Sequence, residues 1–132
     1  MKKRLFKLLL IFIVILCIIS LTGFFVFQKI EDNLESLSQI EIEDINLSSI
    51  EDGLYRGKYK VIPIEVIIDV RIENHLITEM ILIKHSSGKG ELAEMILDDV
   101  MINQSLDVDL VAGATYSSLV ILLAISDALR IS

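Results

Sequence analysis

Apolar residues run without a single charge from Leu8 to Phe27, 20 positions in all. A helix of that length rises about 30 Å, the thickness of a bilayer's hydrocarbon core. The run predicts a membrane-spanning helix. Beyond it the pattern changes. Ile30, Leu34 and Leu37 recur at helical spacing and predict a short helix, while Ile40, Ile42 and Ile45 are ambiguous. Gly53 to Lys60 reads as a short first strand with Tyr55 and Tyr59 on one face. Ile64, Val66, Ile68, Val70 and Ile72 then alternate with Glu65, Ile67, Asp69, Arg71 and Glu73, the period of a strand with one buried face. Glu73-Asn74-His75 is a turn, and Leu76 to Lys84 returns as the second arm of an antiparallel hairpin. After Ser86-Ser87-Gly88-Lys89-Gly90 the period becomes helical. Leu92, Met95, Ile96 and Val100 share one face of a helix predicted from Glu91 to Ile102. A loop from Asn103 to Gly113 leads to a final helix from Tyr116 to Arg130, apolar all round between Leu119 and Ile125 and so expected to be buried. Strands followed by helices predict an α+β fold, a small antiparallel sheet packed with two helices behind a transmembrane helix.

Charge sets the orientation of the span. Lys2, Lys3, Arg4 and Lys7 precede it, and the first acidic residue is Glu31. From Lys29 onward there are 8 basic and 19 acidic residues, a net charge of −11. By the positive-inside rule the basic tail, 1–7, stays in the cytoplasm. The span is 8–27, a juxtamembrane spacer with solvated charges covers 28–51, and a folded domain at 52–132 lies outside. The expected location is the cytoplasmic membrane, crossed once. Secretory signals have a shorter apolar region followed by small residues. Here the run closes on Gly23-Phe24-Phe25-Val26-Phe27 with no such site, which favours an uncleaved anchor. Leu16 ahead of Cys17 argues against a lipoprotein signal, and Cys17 reads as a small apolar residue of the span. With one Cys in the chain, an internal disulfide framework is excluded. The acidic domain also argues against nucleic acid as a partner, because that affinity rests on Lys and Arg at phosphates.

The chemistry concentrates ahead of the last helix, in Asp109-Leu110-Val111-Ala112-Gly113-Ala114-Thr115-Tyr116-Ser117-Ser118. Gly113 between small residues lets the backbone turn tightly, and hydroxyls follow at a helix start. Free N–H groups and the helix dipole make such a start an anion site. The plainer reading is an ordinary cap, with Thr115 or Ser117 as the capping side chain.

Residues 52–132 resemble the small FMN-binding domain family, whose relatives include the covalent-flavin subunits of sodium-pumping NADH:quinone reductases and Rnf-type complexes. The likeness rests on Asp52-Gly53-Leu54-Tyr55-Arg56-Gly57, His85-Ser86-Ser87-Gly88-Lys89-Gly90, Gln104-Ser105, Val108-Asp109 and Ala112-Gly113-Ala114-Thr115-Tyr116-Ser117-Ser118, which occur in the family's order. The resemblance implies FMN joined through its phosphate to the hydroxyl of Thr115 as a phosphoester. It implies a separate flavin transferase that makes this bond from FAD and reads Asp109. Gly113, Ala114, Tyr116, Ser117, Ser118, His85, Gly88 and Gly90 are the expected cofactor contacts. Ala112 departs from the family pattern, which has Ser or Thr there. No Lys or Arg lies between Lys89 and Arg130, so backbone N–H groups are the expected phosphate partners.

Other readings are weaker. Gly88-Lys89-Gly90-Glu91-Leu92-Ala93 fits a dinucleotide fingerprint, but the short polar stretch before Asp109 supplies no second parallel strand. His75 and His85 fall at opposite ends of one strand, without the spacing of a metal site. Two function classes remain. One is a membrane-anchored carrier of covalent FMN that relays electrons between redox partner proteins, with no catalytic residue of its own. The other is a structural or sensory ectodomain of the same fold without flavin.

Overall fold

The computed structural model describes residues 2–86 and 90–130. It is α+β: a long apolar helix, a three-stranded antiparallel sheet and further helices. The chain divides between Asn33 and Leu34 into two compact units.

The first unit consists of helix. Helix α1 (Lys2–Leu37) is continuous over 36 residues and takes in both the uncharged run and the helical pattern after it. It is long and apolar enough to cross a membrane, a property that anchors and signal sequences share. None of its most apolar stretch is covered by protein. The hydroxyl of Thr22 donates to the carbonyls of Ile18 and Ile19, both at 2.9 Å, so this polar side chain is satisfied within the helix.

In the second unit β1 (Gly53–Val61), β2 (Ile64–Glu73) and β3 (Leu76–Ser86) form a meander in the order β1-β2-β3. Asn74 and His75 make the β2–β3 turn with φ of 54° and 63°, as a primed two-residue hairpin requires. The Asn74 N–H donates to Asp52 Oδ1 at 2.8 Å, and His75 Nδ1 lies 3.1 Å from the carbonyl of Ile50. Asp52 and His75 therefore have local structural duties. Two irregularities shift the β2–β3 register, between Ile67 and Ile68 and between Arg71 and Ile72. They leave Thr78 and Ile83 outside the pairing.

Helix α4 (Thr115–Leu129) lies across β1 and β2. Its Val120, Ile121, Leu122, Ala124 and Ile125 meet the buried face of β2, formed by Ile64, Val66, Ile68, Val70 and Ile72. Gly57 sets the distance of approach: a Cβ there would collide with the carbonyl of Ala124 and come 2.8 Å from the Ala128 Cβ. Asp127, the one acidic residue of α4, accepts the Lys58 N–H of the sheet edge at 2.9 Å.

The structure corrects the predicted helix at Glu91–Ile102. Two shorter helices occur instead, α2 (Gly90–Ala93) and α3 (Ile96–Asn103). Between them the Leu97 and Asp98 N–H groups bond three residues back, to the Glu94 and Met95 carbonyls. This tighter turn rotates the buried face. Ala93, Ile96 and Val100 enter the core, whereas Leu92 and Met95 stay exposed. The last helix starts at Thr115, one residue earlier than expected.

The stretch expected as a spacer contributes to the compact unit. Leu37 and Ile50 are buried in its core, and Ile42 and Ile45 pack against it in irregular backbone. Asp44 fastens this segment, accepting from the Leu106 N–H at 2.9 Å and the Ser105 hydroxyl at 3.0 Å. Gln104, in left-handed conformation after α3, bridges to the sheet. Its Oε1 accepts the Ile77 N–H at 2.7 Å, and its Nε2 donates to the Ile77 carbonyl at 3.0 Å and to the Met101 carbonyl at 2.7 Å. Gln104→Ala leaves these part-buried backbone groups without partners. It is expected to cost about 2 kcal/mol, read as a lower denaturant midpoint, and an unchanged midpoint would contradict this role.

Three carboxylates make folding acid-sensitive. The Arg56 guanidinium, bonded to Asp69 at 2.6 and 2.8 Å, holds the Asp69 carboxyl below its ordinary value. Lys84 chiefly does the same for Glu65. At Asp44 burial acts in the opposite direction, but the Leu106 and Ile45 N–H groups and the Ser105 hydroxyl outweigh it. Folded-state values below unfolded ones mean that the stabilisation is complete above the ordinary carboxylate range near pH 4 and is lost as pH falls through the folded values. The denaturant midpoint should stay flat from pH 7 to about pH 5 and drop below about pH 4. Asp69→Asn should make that drop shallower, and a wild-type midpoint indifferent to acid would refute the assignment.

Candidate functional site

The turn into α4 is built from Val111, Ala112, Gly113 and Ala114. Gly113 adopts φ +80°, a left-handed conformation that disfavours any side chain, and no atom lies within 4 Å of where its Cβ would be. The Ala114 N–H closes the turn on the Val111 carbonyl at 3.0 Å. Ser118, fully buried one turn into the helix, holds the loop down: its hydroxyl donates to the Ala114 carbonyl at 3.0 Å and accepts the Val111 N–H at 3.3 Å.

Neither Thr115 nor Ser117 caps α4. The N-cap is Ala114, and among the described residues no side-chain hydrogen bond caps the helix. The leading N–H groups of a helix have no intrahelical partner, so the positive end of α4 is open to solvent or to an anion. Thr115 occupies its first position and is exposed. Ser117 is buried, and the Ser118 hydroxyl is committed to the loop. Among Thr115, Ser117 and Ser118, only Thr115 presents an aliphatic hydroxyl outward. Tyr116 is exposed beside it, and Ala112 is exposed on the far side of the turn.

His85 follows the β3 irregularity and pairs with Val66, on the face of the sheet that carries the core. Its side chain is 5% exposed, with Nδ1 3.1 Å from Glu94 Oε1. A carboxylate can only accept, so Nδ1 carries the proton. Nε2 is buried with no partner among the described residues. Gly90 begins α2, which packs against α4. Gly88 lies outside the described residues. The structure thus brings α2 to the helix that Thr115 begins, while it records no side-chain contact between His85 and Thr115.

Asp109 is exposed in a polar depression of about 300 Å³ that Asp99, Asn103, Asp107 and Val108 also line. No group of three or more His, Cys, Asp or Glu side chains among the described residues is arranged to hold an ion.

Sequence reasoning missed the His85–Glu94 pair and the bridging of Gln104. Its one available signal for the first was Glu94, a charge next to a buried helical position. Comparison of the chain with protein-family models, with curated proteins and with solved structures returned no match.

Proposed function

We propose that the chain is a membrane-anchored flavoprotein that carries FMN covalently on Thr115 outside the cytoplasmic membrane and relays electrons there. The observation that carries the reading is the exposed Thr115 hydroxyl at the open, uncapped start of α4. The donor set suits a phosphate. The first-turn N–H groups face it, Gly113 leaves the approach clear, and no acidic residue falls in the first turn to repel it.

Attachment would join the Thr115 oxygen to the FMN-side phosphorus of FAD, with the bond to the bridging pyrophosphate oxygen broken, AMP released and the hydroxyl proton taken up by a base of the transferase. The flavin ring supplies reversible electron transfer when bound. This chain's part is to hold the phosphate on Thr115 and the helix N–H groups, with Ala114, Tyr116 and Ser117 shaping that end and Ser118 fixing the loop. His85, its ring fixed by Glu94, would have to uncover its buried Nε2 to reach the same cofactor. A covalent tether suits a domain outside the cell, where a dissociated cofactor is lost by dilution.

Asp109, exposed six residues ahead of Thr115, is the group the transferase reads. Coexpression with a flavin transferase should give a chain that fluoresces on a denaturing gel. Asp109→Ala should reduce that fluorescence several-fold while the denaturant midpoint stays within about 0.5 kcal/mol of wild type, as for an exposed residue. Full loading of the variant would remove Asp109 from recognition. No fluorescence in the coexpressed wild type would favour the ectodomain without flavin.

A further inference from the structure

The sheet's open face, opposite α4, collects positive charge at one end. Lys58, Lys60 and Lys84 converge on a single carboxylate, with their Nζ atoms 3.3, 3.9 and 2.7 Å from Glu65 oxygens. Three ammonium groups share Glu65, and with the Asp127 carboxylate at the Lys58 N–H also counted, a local excess of one positive charge remains on a part of the chain that is −11 overall. All three lysines are about half exposed, whereas Glu65 is 14% exposed and sits beneath them. Two large apolar side chains stand free at the same end. Ile62, in the β1–β2 turn, is 58% exposed, and Ile83, left unpaired by the β3 irregularity, is 50% exposed.

We propose that this end of the sheet docks on an anionic phospholipid surface, the lysines meeting headgroup phosphates and Ile62 and Ile83 entering the interface. The inference rests on the membrane-anchored reading but not on the flavin. Two observations favour lipid over other occupants. Cations surrounding exposed apolar side chains are the chemistry of an interfacial membrane contact. The apolar run ends at Phe27, only seven residues before the compact unit begins at Leu34, so a bilayer spanned by that run is always within reach. The tether raises the local lipid concentration, and a patch too weak to bind membranes alone becomes effective. Docking would restrict the directions from which a redox partner can approach the domain.

Because the chain has no Trp, Ile62→Trp introduces a single reporter. The full-length variant is reconstituted in phosphatidylcholine vesicles with or without phosphatidylglycerol, washed at alkaline pH, and its emission and quenching by brominated lipid are recorded. A blue-shifted, quenched signal is expected only with phosphatidylglycerol, reversed by salt near 0.5 M, where the Debye length falls to roughly 4 Å. Leu76→Trp, about 30 Å away along β3, should stay unquenched. Glu65→Gln should strengthen docking and Lys60→Glu weaken it, each lysine contributing roughly fivefold to the docked-to-free ratio. Release of the chain by the alkaline wash would overturn the anchor and the docking together. Retention with emission indifferent to lipid charge would overturn the docking alone and leave the patch to an acidic protein partner.

Discussion

Thr115→Val is expected to abolish covalent flavin attachment, and Thr115→Ser to retain it. Valine keeps the β-branched shape at the first position of α4 and removes only the oxygen. The side chain is exposed and caps nothing, so the substitution should move stability by no more than about 0.5 kcal/mol. Loss of the flavin would therefore report chemistry and not folding. The neighbouring hydroxyls do not offer a substitute: Ser117 is buried, and Ser118 both donates and accepts within the loop. A Thr115→Val chain that still fluoresces on a denaturing gel would show that the attachment lies elsewhere.

The largest expected effect on stability is at Gly57. Alanine there would place a methyl group against the Ala124 carbonyl and 2.8 Å from the Ala128 Cβ, on a helix further pinned by Asp127 to the next residue's N–H. Backbone cannot yield as a flexible side chain does, so α4 must lift away from β1. Overpacking of this kind costs about 3 kcal/mol, a large share of a small domain's stability. Denaturant unfolding of the full chain should show the midpoint fall by that amount, with Gly113→Ala, at φ +80° but in open space, costing less. A Gly57→Ala chain as stable as wild type would mean that the helix does not sit this close to the sheet.

Strong periodicity made most of the fold legible. The alternation from Ile64 to Ile72 identified β2 and its buried face, and the run from Leu119 to Ile125 identified the helix that covers it. The turn at Asn74-His75 was legible from residue type, since Asn tolerates the left-handed backbone that the turn needs. The break between α2 and α3 was not. It depends on three-residue hydrogen bonds around Glu94 and Met95, and nothing in the local hydrophobic pattern distinguishes the two possible buried faces. Likewise, the packing of Leu37 and Ile50 into the core depends on long-range contacts that leave no period in an irregular segment. At the site, the glycine turn and the hydroxyls were readable as a helix start. Which hydroxyl faces out was decided by the roll of α4 on the sheet, which buries Ser117 and Ser118 and exposes Thr115.

The most direct measurement is the intact mass of the full-length chain, purified from membranes after expression with and without a flavin transferase. With the transferase, the account predicts an increase equal to one FMN less one water, located by fragmentation on Thr115 and absent from the chain made without the enzyme. An unmodified mass under both conditions, in a preparation where the transferase is shown to modify another acceptor, would contradict it.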